Sequence, residues 1–384
     1  MTTTHSTPST AGAATNPADP ATAPSDRPHA SGTHAPPKHG IFLHAGWRTA
    51  GTWLWSRFRA LESVNAFYEP LSSLVGELTA AGIADIRPSY NSGHPALKAA
   101  YYEEYRPFLQ PAARGVRGYR TGFAADRFAE RPDSDFPALQ AYLNDLCEVS
   151  AGQRKIPVLK FCRSLGRMPW LKEAFADVMH VGVLRNPASQ FASGWMLRQQ
   201  WRNAFFVAAP FRVLGLQQNE PAVKQVIAAC GVKLPPVAPT SYDAYAAACD
   251  HYAQTVEGGD AYRAFIALWM LGVLRMLKNA GLVVDTDLLG QSPDYACALG
   301  TQFQAATGLT PDLDTARDLL DEAKRNVRRM SGIDGRLLRP IHSAALKWLF
   351  AQLDRADASQ ANIAERVRKK VALANEIADE WRFY

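Results

Sequence analysis

From residue 40 onward, short apolar runs alternate with stretches of helical period. Ile41-Phe42-Leu43-His44-Ala45-Gly46 is an apolar run ended by a glycine, the pattern of a strand buried on both faces. A helix pattern follows over residues 51 to about 61. Val64–Tyr68 reads as a second strand, stopped before Pro70. Ile156–Phe161 is a third, and Pro157 suits it to an edge position. Residues 178–184 form a fourth, with helix pattern resuming after Pro187, and residues 282–288 form a fifth. Between the last two lies a long helical stretch that includes residues 261–279. Strands alternating with helices in this way predict an α/β fold, a parallel sheet with helices on both faces and helical insertions. Ligands of such sheets bind at the carboxyl ends of the strands.

The first 38 residues are a different material. They hold seven prolines, many Ser, Thr and Ala, and no Leu, Ile, Val or aromatic residue. Such a segment cannot bury enough apolar surface to offset its ordering entropy, so residues 1–38 are expected to be a disordered tail. The tail lacks the apolar core of a secretory signal, and its single arginine, Arg27, makes a poor transit peptide. Residues 39–384 are expected to form one domain. Insertions fall at about 84–133, rich in Tyr and Arg, and at about 200–260, whose first part to residue 240 reads as irregular. Both are candidate lids over the strand ends. No internal repeat is visible.

Composition narrows the function classes. The net charge of +6 comes from 42 basic and 36 acidic residues, with no block of like charge. That argues against a nucleic-acid partner and fits an anionic small ligand. The longest apolar run, residues 264–274, stops at Arg275 and is too short for the roughly 20 residues of a membrane span. Cys147, Cys162, Cys230, Cys249 and Cys297 are odd in number and never spaced as CxxC. This spacing speaks against a disulfide framework and a zinc site, and a cytoplasmic setting is expected.

The most informative stretch is Gly46-Trp47-Arg48-Thr49-Ala50-Gly51-Thr52-Trp53. It follows a predicted strand and opens a predicted helix, so its backbone N–H groups form an anion cradle. Gly46 and Gly51 allow close approach, Thr49 and Thr52 offer hydroxyls, and Arg48 adds a fixed charge. The Gly-x4-Gly frame is that of a nucleotide-binding P-loop, but Thr52 stands where an NTPase has its lysine. A second signal is Leu184-Arg185-Asn186-Pro187, with Ser193 eight positions after the arginine. Pro187 suits the first turn of a helix, and arginine makes forked contacts to phosphate.

Together the two motifs resemble those of sulfotransferases that use 3′-phosphoadenosine 5′-phosphosulfate (PAPS), closer to the carbohydrate-type and bacterial branches than to the cytosolic phenol enzymes. The family loop reads Lys or Arg, Ser or Thr, Gly, Ser or Thr, Thr and an apolar residue. Ala50 departs from its first glycine and is tolerable only at negative φ. Asn186 replaces a commoner aspartate. The resemblance covers about a third of the chain. It implies that Arg48, Thr49, Ala50, Gly51, Thr52 and Trp53 hold the cofactor and that Arg185 and Ser193 bind its 3′-phosphate. The implied reaction moves a sulfuryl group to a hydroxyl or amine of a carbohydrate or other small natural product, with adenosine 3′,5′-bisphosphate as product.

Arg48 is then expected to stabilise the leaving charge. Glu69, in Tyr68-Glu69-Pro70 at the end of the second strand, is the candidate general base, expected beside the first strand. His44 and His94 are the alternatives. Lys160 ends the third strand, with Arg163 shortly after, and both are expected at the cofactor edge. A basic, glycine-punctuated loop at 328–336 loosely resembles one that closes over the 3′-phosphate in this family. Two other readings stay open: a P-loop kinase or NTPase, and a nucleotide-binding protein without catalysis.

Overall fold

Five parallel strands make one sheet: β1 (Ile41–Ala45), β2 (Val64–Tyr68), β3 (Ile156–Phe161), β4 (Met179–Leu184) and β5 (Leu282–Asp285). Their order is β2-β3-β1-β4-β5. The computed structural model describes residues 39–86, 94–110, 114–128, 136–239, 241–354 and 356–381. The expected tail at 1–38 lies outside the described residues, as do parts of the 84–133 insertion. The α/β class and the parallel sheet flanked by helices agree with the hydrophobic pattern.

The strand order corrects two expectations. β3 lies between β2 and β1, so Glu69 does not adjoin the first strand, and β3 is no edge. Pro157 is tolerated inside the sheet because of where it sits. Ile156 donates its N–H to Ser63 on the β2 side, so the next nitrogen faces β1. The β1 ladder starts only at Ile41↔Val158, one residue beyond Pro157, and the missing N–H is not called upon there. The fifth strand also ends earlier than its apolar pattern. Asp285 turns its carboxylate onto the N–H groups of Asp287 and Leu288 and starts a short helix instead.

The first helices are α1 (Gly51–Arg59), α2 (Pro137–Gly152), α3 (Met168–Ala174) and α4 (Pro187–Trp201). Next come α5 (Phe205–Leu216), α6 (Pro221–Cys230), α7 (Tyr242–Thr255) and α8 (Gly258–Asn279). The C-terminal part adds α9 (Thr286–Leu289), α10 (Pro293–Thr307), α11 (Leu319–Val327), α12 (Leu338–Ala351) and α13 (Ala358–Asp379). Much of the stretch expected to be irregular is therefore helical, over 205–216 and 221–230, while 231–239 is irregular as expected. Pro221 opens α6 at its first turn, where no N–H is needed, and Pro210 rides within α5. Two of the prolines that suggested a loop thus sit in helices, while Pro235, Pro236 and Pro239 lie in the irregular part.

Two apolar cores result. One joins the sheet to α1 and α2 through Phe42, Leu54, Phe58, Phe67 and Leu143. The other is built by α4, α5, α8, α12 and α13 around Phe191, Phe211, Trp269 and Trp381. The tyrosines of the 84–133 segment belong mainly to the first core: Tyr101, Tyr102 and Tyr105 are buried and ring Tyr68 and Phe67. Among the described residues no helix is long and apolar enough to cross a membrane.

Candidate functional site

The carboxyl ends of the strands open onto a cavity of about 980 Å³. Each strand end contributes to its wall. The loop after β1 gives Gly46 to Trp53, β2 gives Tyr68 and Glu69, β3 gives Lys160, Cys162 and Arg163, and β4 gives Arg185. Arg48, Arg57, Lys160, Arg163, Arg185 and Arg317 line it, against Glu69 and Glu322. That excess of cations favours an anionic occupant.

The loop between β1 and α1 is tightly made. A side chain on Gly51 would put a Cβ 2.6 Å from that of Ala45, so only glycine fits against the strand. Arg48 and Ala50 both lie in the left-handed region, at φ 66° and 65°. The expected negative φ at Ala50 is thus overturned. As N-cap of α1, Ala50 must turn the chain sharply out of the loop, and the turn takes precedence over its local preference. Left-handed geometry costs a residue with a Cβ about 1–2 kcal/mol. Ala50→Gly should therefore raise stability by roughly 1 kcal/mol, read as a higher urea midpoint at unchanged slope. An unchanged midpoint would mean the loop holds no such strain. Left-handed residues alternating along a loop turn successive N–H groups to one side, the geometry of an anion nest. No side chain caps α1 and its first turn carries no acid, which leaves the helix start to a ligand of negative charge.

Arg48, Ser193 and Arg185 come together although they lie far apart in sequence. Arg48 donates to Ser193 Oγ from Nε at 2.9 Å and from Nη2 at 2.7 Å. Its guanidinium sits over the Phe206 ring, 5.2 Å from the centroid. Burial and the neighbouring Arg185 lower Arg48 to about 10, which still leaves it charged at neutral pH. Arg185 is buried and donates Nε to Ser189 Oγ at 2.7 Å and Nη1 to the Arg48 carbonyl at 2.9 Å. Its Nη2 is buried without a partner. The turn behind it is held firmly. Asn186 caps α4 through Ser189 N–H, and Asp287 accepts from both the backbone N–H and the side-chain amide of Asn186. Lys370 of α13 closes this set, 2.6 Å from Asp287. Asn186 is therefore a structural cap. Thr49 is spent on the Gly46 carbonyl, and Thr52 bonds the Tyr68 hydroxyl.

Glu69 and Lys160 form a buried ion pair. Glu69 also accepts from Cys162 N–H at 2.9 Å and has Arg163 at 3.8 Å. Burial would raise the Glu69 carboxyl, but Lys160 and Arg163 outweigh it and hold the group below its ordinary value. Burial would likewise lower Lys160, and the groups beside it, Cys162, Glu69 and Tyr68, hold it above its ordinary value. Glu69 is therefore an ionised, well-anchored carboxylate, not one whose proton affinity burial has raised.

Of the histidines, His44 turns away from the cavity into the sheet core. Its Nδ1 meets Ser164 Oγ at 2.8 Å, and its Nε2 meets His180 Nδ1 at 2.9 Å. His94 does line the cavity. Burial, with Lys160 and Arg48 adding to it, lowers His94 to about 3, so its ring is neutral at pH 7.

The 328–336 loop does not line this cavity. Its Arg328 and Arg336 pair at the surface with Glu380 and Asp334, and its Ser331 carbonyl accepts from Trp195. The late segment that reaches the cavity is instead 315–322, with Arg317, Leu319 and Glu322. Nothing local in that segment signals a site, and only the fold brings it there. Comparisons with protein-family models, with curated proteins and with solved structures find no match for this chain.

Proposed function

We propose that this chain is a PAPS-dependent sulfotransferase whose acceptor is a hydroxyl or amine of a carbohydrate or other small natural product. The observation that carries the reading is the unpartnered, buried Nη2 of Arg185. A buried guanidinium N–H without an acceptor is costly, and an anion in the cavity removes that cost. It sits in a wall shared with Arg48 and the uncapped start of α1, which suits a ligand carrying two separate anionic groups.

PAPS supplies an activated sulfuryl group and leaves as adenosine 3′,5′-bisphosphate. On this reading Arg185 takes the 3′-phosphate. Ser193 joins it by donating its own O–H, since its oxygen already accepts twice from Arg48. The N–H groups at the start of α1 take the 5′-phosphate, with Thr49, Ala50, Gly51 and Thr52 as the wall and Trp53 as the apolar flank. Arg48 neutralises the charge that builds on the departing oxygen and keeps its own proton. Glu69 accepts the proton lost by the acceptor. Lys160, bound to Glu69, keeps that carboxylate ionised and adds positive charge at the transfer point.

Titration calorimetry with adenosine 3′,5′-bisphosphate, beside ATP with Mg²⁺, tests this. Micromolar binding of the bisphosphate with weak ATP binding is expected. Preference for ATP with Mg²⁺ would turn the reading to a kinase or NTPase, despite Thr52 in the lysine position.

A further inference from the structure

One guanidinium in the cavity wall has no part in the transfer chemistry described above. Arg163 stands two residues after β3 and lines the cavity. Its side chain is only 15% exposed, yet among the described residues no group accepts a hydrogen bond from it. The carboxylate beside it is Glu69, at 3.8 Å, which is too far for a hydrogen bond. Glu69 is already engaged by Lys160 and by the Cys162 N–H. Where β2 and β3 end, the wall therefore sets two cations, Lys160 and Arg163, against one carboxylate, and a single positive charge is left over. His94 adds none, because its ring is neutral at pH 7. The sheet order sets this part of the wall apart from Arg185: β2 and β3 lie on one side of β1 and β4 lies on the other. The hydroxyls of Ser72 and Ser73 follow β2 in the same wall and bring no charge.

We propose that Arg163 determines which acceptor is used, by binding a carboxylate that the acceptor itself carries. The acceptor is then an acid that also bears the reacting hydroxyl or amine, such as a uronic acid or a hydroxybenzoic acid. This rests on the transfer reading, in which Glu69 receives the proton of the reacting group. The guanidinium presents paired N–H donors in a fork that matches the two oxygens of a carboxylate. A single negative charge balances the one cation left over, and a phosphate dianion would exceed it. The reacting group on Glu69 and the carboxylate on Arg163 are each one hydrogen bond from groups 3.8 Å apart, so they lie within roughly 9 Å of each other. That span confines the carboxylate to the reacting ring or its immediate neighbour. A neutral acceptor would exclude water from Arg163 without replacing its hydrogen bonds, and a site with unmet polar groups rejects such a ligand.

The test measures probe binding to the full chain with adenosine 3′,5′-bisphosphate added in excess. Two pairs of probes differ at one carbon, which is a carboxylate or a hydroxymethyl group: methyl glucuronide against methyl glucoside, and 4-hydroxybenzoate against 4-hydroxybenzyl alcohol. At least one carboxylate is expected to bind saturably, roughly tenfold or more tightly than its neutral partner, and to shift the Arg163 Nε–H resonance. Arg163→Gln should abolish that preference and Arg163→Lys should restore part of it, while affinity for the bisphosphate and for PAPS stays unchanged. Binding of neither carboxylate, equal affinity within both pairs, or a preference that survives Arg163→Gln would each overturn the proposal. So would a loss that falls on PAPS and spares the bisphosphate, since Arg163 would then serve the sulfuryl group. The Arg163 resonance decides the matter on the unaltered chain if Arg163→Gln does not fold. Carboxylate binding that depends on Arg163, in a chain that does not bind the bisphosphate, would keep the subsite and remove the sulfotransferase reading, so the two fail separately.

Discussion

Glu69→Gln should lose both stability and turnover, and the two losses should separate. The substitution leaves Lys160 buried without its anion. Removing one member of a buried ion pair costs about 3–5 kcal/mol, so the melting temperature should drop by several degrees. Lys160→Met added to Glu69→Gln should restore most of that loss, because a buried pair is often replaced by apolar groups at little cost. Turnover should stay down about 10²–10⁴-fold in both variants if Glu69 takes the acceptor proton. Acid should sharpen the comparison. The folded-state value of Glu69 lies below its ordinary 4.5, so the stability it contributes is present above that pH and is lost as pH falls through the lower folded value. The wild type should therefore lose stability below about pH 4.5 more steeply than Glu69→Gln. A stable variant with nearly full kcat would remove Glu69 as base and leave His94, the neutral imidazole of the same cavity.

Arg185→Ala is expected to discriminate between two anions. Adenosine 3′,5′-bisphosphate should bind more weakly by about 1.5–3 kcal/mol, the range for a charge-assisted hydrogen bond. Adenosine 5′-phosphosulfate, which has no 3′-phosphate, should be much less affected. Calorimetry on both ligands checks this. Equal losses would mean that Arg185 serves the loop through its bonds to Ser189 and the Arg48 carbonyl, and binds no phosphate.

What could be read from the sequence was what is local. The strands announce themselves because each is a short apolar run between breakers, and Gly51 stands out because a strand–turn–helix needs close packing there. Arg48, Arg185 and Ser193 were readable as a set only through resemblance, yet they do converge on one wall. What was not readable depends on contacts between distant segments. The place of β3 between β2 and β1 follows from how helices pack on the sheet, and no residue of β3 encodes it. The left-handed Ala50 follows from the exit angle of α1. The place of Glu69 after a strand marks it as a candidate base, but its low proton affinity comes from Lys160, 91 positions later. The 315–322 segment carries no local signal, since an arginine or a leucine marks a cavity only once its neighbours are known.

The sheet order also governs how the chain reaches its native state. β2 pairs only with β3, and β1 pairs with β3 and β4, so neither N-terminal strand has a partner until residue 156 or beyond is made. More than a hundred residues must emerge before the first two rows of hydrogen bonds close. Loop-closure entropy has to be met before those contacts contribute, which makes folding slow and keeps apolar strands exposed during synthesis. A fragment ending before β3 therefore has no sheet to join. The loop after β1 acquires its shape late, when β3 and β4 arrive on either side of it.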